Sequence, residues 1–135
     1  MLELSRTENV IVWVCRLLAA GILLQTLYFK FTGAPESVYI FTKVGMEPWG
    51  RLGSGVAELI AASLLFVPGL TWLGAGMSLA IMGGAILSHL TVLGIEVQGD
   101  GGLLFGLALV VAAASFVLLY LHKTQLPLIG QLLAR

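Results

Sequence analysis

The sequence predicts an all-α integral membrane protein: one antiparallel four-helix bundle with a short interfacial helix in its first loop. Three observations carry this. Of 135 residues, 59% are hydrophobic and 10% are charged, whereas a typical soluble domain carries about 25% charged residues. The mean hydropathy is +1.01. Four apolar runs, at 10–29, 52–70, 72–93 and 102–121, each approach the about 20 residues that a helix needs to cross a hydrocarbon core. Seven acids and seven bases cannot give every element of a soluble fold a polar face. They also leave no basic excess for a nucleic-acid partner, and the apolar content excludes a disordered chain.

The first run is interrupted by Arg16 and closes on Lys30. Residues 1–9 carry two acids and only Arg6, so they read poorly as a cleaved leader. In the first loop, Pro35-Glu36-Ser37 suits a helical first turn, and Val38, Phe41 and Val44 fall at helical spacing. The spacing predicts an interfacial helix over 35–45, with Tyr39, Phe41 and Trp49 as interfacial anchors. Between the second and third runs only Pro68-Gly69 breaks the apolar pattern, so those helices must be antiparallel neighbours. Residues 94–101 form a short polar loop ahead of the fourth run. The apolar positions of the tail, 124–135, suit a surface segment. No repeat or linker divides the chain, so 1–135 reads as one domain. Strands are disfavoured because no run alternates polar and apolar residues.

Lipid tails are as apolar as leucine, so membrane helices associate through small residues and polar contacts. Gly76, Ala80, Gly84 and Ser88 recur every four residues on the third run, and Gly102 and Gly106 stand on the fourth. These positions predict a helix-packing stripe, used either within the bundle or between copies of the chain.

Ionisable residues inside apolar runs are expensive, so they face the bundle and find partners. Arg16 and Lys30, fourteen residues apart, point to one side of the first helix. Ser54 and Glu58 share a face of the second, and His89 lies late in the third. At about 1.5 Å rise per residue, Glu58, His89 and Lys30 fall near the first-loop side. Arg16 lies deeper and reaches Glu58 only by stretching. Gln25 and Tyr28 add polarity at the cluster's depth. Two readings stand side by side: an Arg16–Glu58 pair that fixes helix register, or a polar pocket for a small molecule or quinone headgroup. No catalytic residue is assigned. No metal site is expected, since His89 lacks a second His or Cys at ligand spacing. Cys15, the single cysteine, excludes an intrachain disulfide and a paired-cysteine redox site.

These residues, in this order, resemble the DoxX family of small four-helix membrane proteins. The resemblance runs from Arg16-Leu17-Leu18 with Gly21, through Lys30-Phe31-Thr32-Gly33, then Phe41, Gly45 and Pro48. It continues with Glu58, Leu64-Leu65 and Pro68-Gly69, and ends on His89-Leu90 and Gly99-Asp100-Gly101-Gly102. Asp100 stands where many members have Glu, and Leu119-Tyr120-Leu121-His122-Lys123 replaces a small-polar ending. The resemblance implies a bacterial-type inner (plasma) membrane protein, and some members are subunits of quinone-linked systems. It is also similar in architecture to the vitamin K epoxide reductase bundle, whose paired cysteines are lacking here.

Together these readings predict a non-catalytic subunit or scaffold whose Arg16/Glu58/His89 network holds the bundle and accepts a small apolar ligand. The alternatives are a quinone-binding oxidoreductase subunit and a membrane chaperone or transport accessory. The expected partners are the lipid bilayer and a membrane protein or second copy. Counting Arg6, Lys123 and Arg135 against Lys43 and Arg51, with Lys30 drawn inward, puts both termini in the cytoplasm.

Overall fold

The computed structural model describes residues 3–125; the surface reading of the tail from Leu126 onward lies outside the described residues. The described chain is all-helical, with five α-helices in the order α1 (Arg6–Thr32), α2 (Pro35–Lys43), α3 (Trp49–Leu64), α4 (Thr71–Ser88) and α5 (Leu103–Leu121). A π-helical turn (His89–Leu93) continues α4, and a 3-10 turn (Lys123–Gln125) follows α5. Three helical stretches are long and apolar enough to cross a membrane: Arg6–Thr32, Thr71–Leu93 and Leu103–Leu121.

The local causes are visible in sequence. Ser5 opens α1 with a capping box: its hydroxyl accepts from the Glu8 N–H at 3.1 Å, and the Glu8 carboxylate accepts from the Ser5 N–H at 3.0 Å. This carries α1 four residues beyond the expected start at Val10. Gly33 ends it at φ 67°, a left-handed conformation that suits glycine. Proline at the first turn opens α2. Asp100 starts α5 from outside the helix: its carboxylate accepts from the N–H groups of Val97, Gly102 and Leu104 at 3.0, 2.8 and 3.1 Å. Burial acts to raise the Asp100 pKa, but these three donors and nearby His89 hold it below the ordinary value of 3.8.

The second apolar run is corrected. A helix filling 52–70 was expected, but α3 begins at Trp49 and stops after 16 residues, short of a spanning length. Residues ahead of Pro68-Gly69 tighten into i→i−3 bonds (Phe66 N–H to the Ser63 carbonyl and Val67 N–H to the Leu64 carbonyl, both 3.2 Å), and the helix ends.

Helices α1, α3, α4 and α5 form a ring in which each packs on two neighbours: α1 on α3 and α5, and α4 on α3 and α5. Helix α2 touches α1, α3 and the π-helical turn, so it roofs one end of the ring. The end nearer the chain start is densely packed around Ala19, Ala20, Leu65, Ala75, Val111 and Leu118. The outward faces carry exposed Leu17, Leu24, Leu109 and Phe116, as expected of a surface solvated by lipid.

The packing stripe is corrected as well. A Cβ added at Gly76, Gly84 or Gly106 would meet nothing within 4 Å, so these positions hold no close helix crossing within the described chain. The close crossing is at Gly74, where a Cβ would stand 2.7 Å from the Ala61 carbonyl oxygen and 2.8 Å from the Leu65 nitrogen. The face of α4 that meets α3 and α5 is therefore that of Thr71, Ala75, Ser78 and Met82, one step round the helix from the expected stripe.

Candidate functional site

Where the ring widens under α2 it encloses a cavity of about 560 Å³, within the range of small-molecule sites. Leu23, Met82 and Ala108 form its floor, and Ile40 and Phe41 of α2, with Val44 just after it, line its roof. Ala80, Gly84 and Ser88 line one wall. Their small size keeps this space open instead of drawing two helices together. Gly102 and Gly106 are not among its lining residues.

The polar groups enter this apolar chamber at a few points. Glu58 is 1% exposed and pairs with the Lys30 ammonium. The second carboxylate oxygen of Glu58 accepts from the Thr26 hydroxyl at 3.1 Å. Thr26 and Lys30 are four residues apart, so both reach Glu58 from one face of α1. The Lys30 ammonium also lies 5.7 Å from the centre of the Phe41 ring, within cation–π range. Arg51 braces the same corner. It donates to the Lys30 carbonyl at the end of α1 and to both oxygens of Glu47, at 2.9 and 3.0 Å.

His89 is 3% exposed and starts the π-helical turn. Its Nδ1 is 2.9 Å from the Gly94 carbonyl, while the Gly94 N–H donates back to the His89 carbonyl at 2.8 Å. Nδ1 must therefore carry the hydrogen, and in the neutral ring Nε2 keeps its lone pair. Nε2 has no protein partner among the described residues. The ring packs edge-on against Phe105, centres 5.4 Å apart. Ser54 and Gln25 also line the cavity, Gln25 as an exposed rim residue.

The cavity thus brings together Lys30, Glu58, His89, Ser54 and Gln25, and leaves out Arg16. The expected Arg16–Glu58 pair is corrected. Arg16 donates to the Thr71 hydroxyl at 3.1 Å and stands 4.9 Å over the Trp13 ring, at the opposite end of the bundle. Nearly three turns of α1 separate it from Thr26, whereas Lys30 pairs with Glu58 directly. Sequence reasoning missed Thr26, Arg51, Thr71 and His122. Only Thr26 carried a signal, its i, i+4 relation to Lys30.

The cavity offers an apolar body, a hydrogen-bond acceptor at His89 and an ion pair at its wall. Among the described residues, no group of three or more His, Cys, Asp or Glu side chains is placed to hold a metal ion. No family model, curated protein or solved structure matches the chain.

Proposed function

We propose that this chain is a DoxX-like four-helix protein of the inner (plasma) membrane, with both termini in the cytoplasm. In this reading it is a non-catalytic subunit or scaffold that holds one small amphipathic molecule under α2. The supporting observation is the cavity of about 560 Å³, apolar except where His89 and the Lys30–Glu58 pair meet it. The ligand's apolar part lies along Ala80, Gly84 and Leu107, and its polar head donates to Nε2 of His89. Helix α3 spans with the help of its flanking turns. The test is native mass spectrometry of protein purified in mild detergent. A retained molecule of a few hundred daltons is expected, and Gly84→Leu, which fills empty space, should expel it while the protein stays folded. Equal retention by the Gly84→Leu protein would overturn the reading.

A quinone-binding subunit of a membrane oxidoreductase is the second reading, favoured by one arrangement. An unpaired imidazole acceptor and an ammonium border the same chamber, and a quinol hydroxyl and a quinone carbonyl need those two groups. Binding of a reduced quinone to the purified protein, abolished by Glu58→Gln without loss of fold, would favour it over the scaffold.

A further inference from the structure

The end of the bundle opposite α2 holds a second cavity, of about 250 Å³, lined by Arg16, Thr71, His122 and Gln125 among others. Its polar groups are incompletely paired. One Arg16 nitrogen donates to Thr71, but among the described residues Nε of Arg16 is buried with no hydrogen-bond partner, and so is the side-chain oxygen of Gln125. The ion pairs among the described residues are Lys30–Glu58 and Glu47–Arg51, and Arg16 belongs to neither. A buried donor and a buried acceptor left open in one chamber are costly. A partly buried guanidinium without an anion adds to that cost.

His122 completes the wall. It is 3% exposed, and its Nδ1 donates to the Leu118 carbonyl at 2.7 Å. Its Nε2 therefore keeps a lone pair, and it has no hydrogen-bond partner among the described residues. Burial, joined by the Arg16 cation, outweighs the Leu118 carbonyl and pushes the imidazole below its ordinary value of 6.5, so it accepts rather than donates. Helix α4 begins at Thr71, and its first-turn N–H groups add positive potential at this end.

The depth of the cavity identifies its surroundings. Exposed Trp13, Phe66 and Tyr120 ring this end, and exposed Tyr28, Phe29 and Trp49 ring the other. Aromatic girdles of this kind sit at headgroup level. Trp13 and Tyr28 are roughly 22 Å apart along α1 at the helical rise per residue. Arg16 lies within one turn of Trp13, so its cavity lies toward that membrane face, within reach of headgroups.

We propose that this cavity binds a phosphate ester whose headgroup also carries N–H donors, of the phosphoethanolamine type, supplied by a membrane phospholipid. The phosphate oxygens accept from Arg16, whose planar fork suits them. The ammonium donates to Gln125 and His122. Each open group in the chamber then has a partner, which a choline headgroup, lacking N–H, does not achieve.

The test is thermal unfolding of the detergent-purified full chain with added short-chain phosphatidylethanolamine, phosphatidylcholine, diacylglycerol or free O-phosphoethanolamine. Phosphatidylethanolamine should raise the Tm by several degrees, with half-saturation at least tenfold lower than for phosphatidylcholine. Arg16→Gln should abolish that rise, while Gly84→Leu, at the other cavity, should keep it. An equal rise with free O-phosphoethanolamine would support the phosphate ester and assign its source to the aqueous phase. An equal rise with diacylglycerol, or an undiminished rise in Arg16→Gln, would overturn the proposal. Should Arg16→Gln fail to fold, the ranking of the four additives on the unmutated protein decides alone, since equal effects of phosphatidylcholine and phosphatidylethanolamine refute the donor requirement.

Discussion

Glu58 and Lys30 form a couple that Arg16 does not join, and a mutant cycle can measure this. Glu58→Leu removes the acceptor of Lys30 and strands an ammonium at an apolar wall, while the Thr26 hydroxyl keeps the Leu23 carbonyl at 2.8 Å. Breaking a buried pair costs about 3–5 kcal/mol. The Lys30 side chain keeps 16% exposure, so it can turn outward, and the loss should fall near the low end, about 3 kcal/mol. Lys30→Met with Glu58→Leu removes both charges, and that protein should lie within about 1 kcal/mol of the parent. Lys30→Met alone strands the buried Glu58 carboxylate and also destabilises, so the coupling, the two single losses less the double, should exceed about 2 kcal/mol. Arg16→Leu has its own cost through Thr71, and combined with Glu58→Leu it should add within about 0.5 kcal/mol. Equilibrium unfolding in mixed micelles, followed by circular dichroism, gives all five differences. Additive losses for Lys30 and Glu58, or coupling above about 1 kcal/mol between Arg16 and Glu58, would refute the assignment.

The two kinds of glycine on α4 should respond with opposite signs. Gly74→Ala should destabilise by about 1–3 kcal/mol, because its methyl meets backbone atoms of α3. Gly84→Ala should be neutral or stabilise by up to about 1 kcal/mol through helix propensity, as read by Tm in detergent. Asp100→Ala should cost about 1–3 kcal/mol by leaving three N–H groups without an acceptor. The folded-state pKa of Asp100 lies below its unfolded value of 3.8. Its contribution is therefore full above that value and lost as pH falls through the folded one, and an acid titration of Tm should flatten in Asp100→Asn. His122 has a depressed folded-state pKa, so the unfolded chain takes up its proton first. Stability should fall as pH drops below about 6.5, and His122→Gln should remove that slope.

Composition made the helical, lipid-facing character legible, and Pro35-Glu36-Ser37 marked the start of α2. Depth counting placed Glu58, His89 and Lys30 at one end, where they line one cavity. The shared helix face misassigned Arg16, because fourteen residues bring two side chains to the same side of a helix but hold them about 20 Å apart. Residue size misled the stripe. Small side chains at four-residue spacing serve a tight crossing or an empty chamber equally, and only the facing element decides. Gly74 faces the Ala61 carbonyl, whereas Gly84 faces space. The short α3 was illegible because Leu65, Phe66 and Val67 are as apolar inside a turn as inside a helix.

The unequal filling of the ring has a consequence for how the chain can change. Ala19, Ala75 and Val111 are each 0% exposed, so the tightly filled half should resist substitution there. At the wide end, Gly84 has room for a larger side chain. Descendants of this chain can therefore retune the volume and chemistry of that chamber while the opposite half keeps the four helices in register, so selection can vary the guest and conserve the frame.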